Sequence, residues 1–192
     1  MNFPLAVLDF EASSLSLSTY PELSSYPIEV GLAVATGLSE PILVWSSLIK
    51  PDPEWAARGD WDRASEKVHG IAREKLIAGM PPPQVAAALD EVLEPLGHAW
   101  CDGGRYDGHW LTVLYGAAKT KPKFHLGDMA GLFAFDRPMQ NRYADILAAT
   151  APPHRAGEDA ARICSALVSA AGGSPPLFRT SADRILGRLE GE

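Results

Sequence analysis

The residues Leu5-Ala6-Val7-Leu8-Asp9-Phe10-Glu11 constrain this chain more than any other stretch. They read as an apolar strand that ends in two carboxylates. Side chains two apart on a strand point to the same face. Asp9 and Glu11 therefore project together from the end of a buried run. Like charges held together in a dry place repel one another and lose hydration. Two readings stand on this stretch alone. Either the strand runs out into solvent and the acids are surface residues, or the pair shares a cation.

The rest of the chain decides between them. It has 192 residues, enough for one domain with a sizeable core. Its formal net charge of -7 argues against broad wrapping of duplex nucleic acid. A small cleft for a chain end is still allowed, because divalent metals supply positive charge locally. Cys101 and Cys164 are far apart and lack CxxC spacing, which speaks against a zinc site and fits a reducing compartment. Asn2-Phe3-Pro4 leads straight into the strand without a signal peptide, and no apolar run has bilayer length. The expected setting is cytoplasmic, with no membrane partner.

Strands come first. Residues 28–35 and 41–48 continue from the opening strand as an antiparallel meander, with Gly37-Leu38-Ser39-Glu40 as a turn. Short helices are expected over 62–68, capped near Asp60, and over 73–78. A longer one follows Pro81-Pro82-Pro83, with Val85, Leu89, Val92, Leu93 and Leu96 at helical spacing. His98–Cys101 reads as a short strand and Phe124–Leu126 as a fifth. Helices are expected over 107–118, 138–150, 158–171 and 181–189. Strands first, then strands alternating with helices, predict a mixed α/β sheet with helices packed on it. Residues 1–174 form the domain, and 175–192 a tail with Arg179, Arg184 and Arg188 that packs on a homodimer partner or touches substrate.

Two further acids turn inward. Asp107 opens a helix and shares a face with Trp110, Leu111 and Leu114. Stabilising the helix dipole, worth about 0.3–1 kcal/mol, would not need that orientation. Asp159, in the first turn of a later helix, shares a face with Ile163 and Leu167, while Glu158 points elsewhere. His154 stands just upstream, after Pro152-Pro153, within reach of the same place. Four clustered carboxylates without a cation would be badly strained. Oxygen-only ligands favour hard ions such as Mg²⁺ or Mn²⁺. In the second strand, Glu29 reads either as a partner behind the acids or, preferably, as an ordinary strand acid, and Phe10, facing away from Asp9 and Glu11, as core.

Asp9-Phe10-Glu11 resembles the first motif of the DnaQ-like, DEDDh-type 3'→5' exonucleases. Tyr106-Asp107-Gly108-His109-Trp110-Leu111 resembles their second motif. His154-Arg155-Ala156-Gly157-Glu158-Asp159 is similar to their third, His-x-x-x-x-Asp, and Val68-His69-Gly70-Ile71 to a segment common between the first two. What carries the resemblance, over about residues 5–170, is all of these motifs in order. It implies a ribonuclease-H-like, mixed five-stranded sheet flanked by helices, and two divalent metals per site. Asp9, Glu11, Asp107 and Asp159 become metal ligands and His154 the general base. The substrate is the 3' end of single-stranded DNA or RNA, with the loop from Ala12 to Ser18 and its residues Ala12 and Ser13 at the terminal nucleotide. Leu15 wedges against the terminal base with Ile71 beside it, or both pack in the core; Arg105 contacts a phosphate or is a solvated surface arginine. Two departures stand out: Ala12-Ser13-Ser14 replaces Thr-Thr-Gly or Thr-Ser-Gly, and Asp102-Gly103-Gly104-Arg105 replaces a run with Asn. Both bear on substrate preference.

One rival is a nuclease-like fold that binds nucleic acid or protein without catalysis. Such a module is expected to lack one of the five residues, and none is missing. Other enzyme classes have no support, since GxGxxG, GxxxxGK[ST] and GxSxG are all absent.

Overall fold

The opening strand becomes β1 (Leu5–Ala12), at the centre of a six-stranded sheet ordered β5-β4-β1-β2-β3-β6. The structure is a computed structural model that describes residues 2–15, 25–134 and 136–190. The part of the expected nucleotide loop at residues 16–18 lies outside the described residues. β2 (Pro27–Ala35) and β3 (Ile42–Leu48) pair antiparallel with the strands before them, as the meander predicts. β4 (His98–Cys101) then joins β1 in parallel, and β5 (His125–Asp128) joins β4 in parallel.

The sheet has six strands, not five, because Leu177–Arg179 (β6) pairs parallel with β3. Three residues after a diproline carry no periodicity, so this strand is set by its partner edge. The fifth strand lies at 125–128 rather than 124–126, with Phe124 buried just before it.

Helices cover both faces. On one face α3 (Pro82–Leu93) and α4 (Arg105–Ala117) bury Val85, Leu89, Leu93, Trp110 and Leu114 against Leu8, Phe10 and Leu32. On the other, α7 (Ala156–Ala170) crosses β1, β2 and β3, backed by α6 (Arg137–Ala148). Between β3 and α3 lie α1 (Pro53–Arg58), α2 (Arg63–His69) and a 3₁₀ turn over Arg73–Ala78, and α5 (Met129–Leu132) follows β5. Neither α1 nor α5 is expected from sequence; at six and four residues they are too short to show a period. The cap of α2 is Asp62, whose carboxylate accepts from the Ala64 amide at 2.9 Å, while Asp60 accepts from the Ser14 hydroxyl at 2.8 Å. The tail folds onto its own domain: α8 (Ala182–Glu190) packs on α3, and Ile185 is fully buried. No helix among the described residues is long and apolar enough to cross a membrane.

Candidate active site

The site forms where the parallel neighbours β1 and β4 end. Ligand sites in open α/β sheets gather at strand carboxyl ends. Asp9 and Glu11 lie near the end of β1, Asp102 directly follows β4, and Asp107 lies in the first turn of α4. Asp159 arrives from the first turn of α7. Single carboxylate oxygens of Asp9, Glu11 and Asp159 lie within 4.8 Å of one another, and so do those of Asp9, Asp102 and Asp107. Asp9 belongs to both groups.

Local sequence explains how each acid gets there. β2 carries Gly31 opposite Asp9, and a β-carbon there would run into the backbone of Ala156 and Gly157. This bare position lets the start of α7 rest on the strand. Gly157 in turn faces Ser46 of β3, whose β-carbon would lie 2.7 Å from any added β-carbon. At the other element, Gly104 has φ +54°, which glycine adopts without a steric cost. The turn it makes lets the Gly103 amide donate to the Asp107 carboxylate at 3.0 Å. The Asp159 carboxylate likewise accepts from the Arg155 amide at 3.0 Å.

Electrostatically the site is in conflict with itself. Burial pushes Glu11 up to about 8, helped by Asp159 and Glu29, and only Arg155 pulls it back. Burial, then Asp102, pushes Asp107 up to about 7. Asp9 is raised well above the ordinary range by burial and then by Asp107, Glu11, Asp102 and Asp159. Asp159 is raised by burial, against backbone hydrogen bonds and His154. Asp102 is exposed as a residue, yet its carboxyl is raised by desolvation and then by Asp159. Oxygen donors in two overlapping groups, short of cationic partners, fit hard divalent ions.

His154 lies in the exposed loop before α7, with φ +54°, a left-handed backbone uncommon for histidine. With Glu11, it lines a cavity of about 340 Å³ whose other walls include Ala12, Leu15, Val68, His69 and Trp110. That volume falls within the usual range of small-ligand pockets. Leu15 is 67% exposed. The other proposed substrate contacts are not on this wall. Ser13 is fully buried and its hydroxyl accepts from the Tyr26 amide at 3.0 Å. Ile71 is 2% exposed and belongs to the core, so its neighbours Val68 and His69 face the cavity instead. Arg105 is exposed, with its guanidinium over the Tyr106 ring.

Asp102 and His69 gain roles that sequence alone does not assign them, and for Glu29 the structure decides between two readings. Asp102 joins the acids; the signal available was an acid at the end of a strand parallel to β1. His69 is buried against the cavity, its Nδ1 accepting from the Ile71 amide at 3.0 Å while Nε2 finds no partner among the described residues. Glu29 is no ordinary strand acid: it is 3% exposed and paired with Arg155. A lone charge inside a nine-residue, uniformly buried strand required such a partner.

No protein-family model and no curated protein matches the sequence. Solved structures do match the fold. A full-length 3'-exonuclease superposes with a TM-score of 0.60 at 15% identity, over 87% of this chain and 80% of that one. A 3'-exonuclease recognising a histone mRNA stem-loop gives 0.61 at 15% identity, over 89% and 82%. E. coli Exonuclease I with a dA16 oligonucleotide gives 0.59 at 13% identity, over 98% of this chain but 43% of that one. The chain thus spans less than half of Exonuclease I. It has the fold of these 3'-exonucleases.

Proposed function

We propose that this chain is a metal-dependent 3'→5' exonuclease, releasing nucleoside 5'-monophosphates from single-stranded or frayed 3' ends. The observation that carries this reading is the meeting of Asp9, Glu11, Asp107 and Asp159 at the ends of two parallel strands, in a fold shared with 3'-exonucleases. Asp9, Glu11 and Asp159 hold one Mg²⁺ or Mn²⁺; Asp9 and Asp107, with Asp102, hold a second. When bound, such ions polarise the scissile phosphate and lower the pKa of the attacking water.

The remaining work belongs to the chain's own residues. His154 takes the proton of the attacking water at an imidazole nitrogen. Its place on the wall of the cavity that Glu11 also lines supports this role. Ala12, Leu15, Val68 and Trp110 receive the terminal nucleotide, excluding water from one side. One structural neighbour holds a DNA oligonucleotide and another recognises an RNA stem-loop, so both polymers stay within the substrate class.

The test is a 3'-labelled single strand, DNA and RNA in parallel, incubated with protein and Mn²⁺. Labelled mononucleotide is expected, and chelator is expected to stop its release. His154→Ala is expected to slow release by about 10²–10⁴-fold while Mn²⁺ still binds. A strand that is bound but stays whole would instead make this a binding module.

A further inference from the structure

Glu29 stands opposite Glu11 in the β1–β2 register, so the two side chains rise from the same sheet face on adjacent strands. A buried carboxylate requires partners, and this one is fully engaged. Arg155 Nη2 donates to Oε1 at 2.6 Å and Nε donates to Oε2 at 2.9 Å. The Ala156 amide also donates to Oε2, at 3.0 Å. A guanidinium held by two prongs fixes direction as well as distance. Together with bare Gly31, Glu29 fastens the start of α7 to β2 through both a side chain and the backbone.

His154 is the residue immediately before this fastening. On its other side stands Pro152-Pro153, whose φ angles are fixed by their rings. Between these two stiff segments His154 has a left-handed φ of +54°, a conformation that persists only where its surroundings impose it. We infer that Glu29 and Arg155 are a positioning pair: by locking the start of α7 they hold His154 on the wall of the cavity that Glu11 also lines. This rests on the exonuclease reading and adds to it the residues that place the general base. Neither Glu29 nor Arg155 touches the reacting atoms; their charges act on Glu11 in opposite senses, and their joint effect is on the place of His154.

Three variants test the pair. Arg155→Met removes the fork. Glu29→Gln/Arg155→Met removes it without stranding a buried charge, and keeps an acceptor for the Ala156 amide. Arg155→Lys keeps the charge but loses the second prong. With a 3'-labelled single strand, kcat is expected to fall by about ten- to a hundredfold in both Arg155→Met proteins, as for a misplaced group. KM and Mn²⁺ affinity by calorimetry are expected to stay within about threefold in the double variant, since the opposing effects of Glu29 and Arg155 on Glu11 are removed together and Asp159 is bonded by backbone amides rather than by the Arg155 guanidinium. Arg155→Lys recovers part of kcat. In a His154→Ala background, Arg155→Met is expected to add less than about twofold, because groups that act as a unit are not additive.

An unchanged kcat overturns the inference. So does a fall in kcat matched by Mn²⁺ affinity, which would tie the pair to the metal ligands, or a full effect without His154. A wild type that cleaves nothing sinks the exonuclease reading instead. The lock is then judged by amide hydrogen exchange: lost protection at Ala156 and Gly157 in the double variant supports it, and retained protection overturns it.

Discussion

Two buried places in this molecule hold aspartates, and they treat them in opposite ways. Asp90 of α3 is 7% exposed, and one of its oxygens accepts from the Tyr115 hydroxyl at 2.7 Å and the Lys123 amide at 3.1 Å. Donors from two separate segments converge on a single acid, which offsets its desolvation. Asp107 is 1% exposed, but the charges around it include other acids, Asp9 and Asp102. At that end of the sheet carboxylates face carboxylates, and their donors are neutral: backbone amides of Phe10, Gly103, His154 and Arg155 and the Cys101 thiol. Asp90 is tied into the scaffold by donors from two segments. The acids grouped around Asp9 fit a divalent cation.

Opposite substitutions should separate the two places. Asp9→Ala is expected to abolish metal-dependent strand hydrolysis, by more than about a thousandfold, while raising the melting temperature of the metal-free protein, since it removes repulsion from both oxygen groups. Full activity in that variant would break the comparison at its root. Asp90→Ala should do the reverse, costing about 1–3 kcal/mol in denaturant unfolding by stranding the Lys123 amide and weakening the Tyr115 tie, with kcat unchanged.

Acidity sharpens the contrast next. Glu11 titrates near 4.5 in an unfolded chain and near 8 in the folded one, and Asp107 moves from 3.8 to about 7. Below their unfolded values both are protonated in either state and cost nothing. As pH rises from about 4 to 8, the unfolded chain gives up its protons first, so the metal-free fold loses stability through that window. Thermal melts without metal should therefore fall between pH 5.5 and 8, and added Mn²⁺ should recover more at pH 8. A metal-free melting temperature flat across that window would show that the acids are not in conflict. The smallest effect is Asp102→Asn. Because Asp102 is exposed and shares only one of the two oxygen groups, Mn²⁺ affinity is expected to weaken several-fold by calorimetry. An unchanged affinity would remove Asp102 from the site.

The four acids were legible because each sits in a local pattern that orients it. Asp9 and Glu11 follow strand alternation, and Asp107 and Asp159 share helix faces with residues that prove buried, Leu114 and Leu167 among them. Elements without a period stayed invisible: α1, α5 and the three residues of β6. Sequence alone leaves Glu29 open between a strand acid and a supporting partner, because its partner Arg155 lies 126 residues away and no local pattern reports such a distance. For Ile71 the structure decides for the core over the place beside the substrate, because the motif it sits in says which segment lies near the site but not which side chain turns outward.

The amino-acid sequence by itself determined which side chains point inward and in what order the elements form, since periodicity and turn chemistry act over a few residues. Only the tertiary structure decided that β1 and β4 end side by side, that Asp102 joins the cluster and that Glu29 fastens α7. Those outcomes depend on strand pairing and on close backbone approach at Gly31, where contact is set by the folded sheet and not by neighbours along the chain.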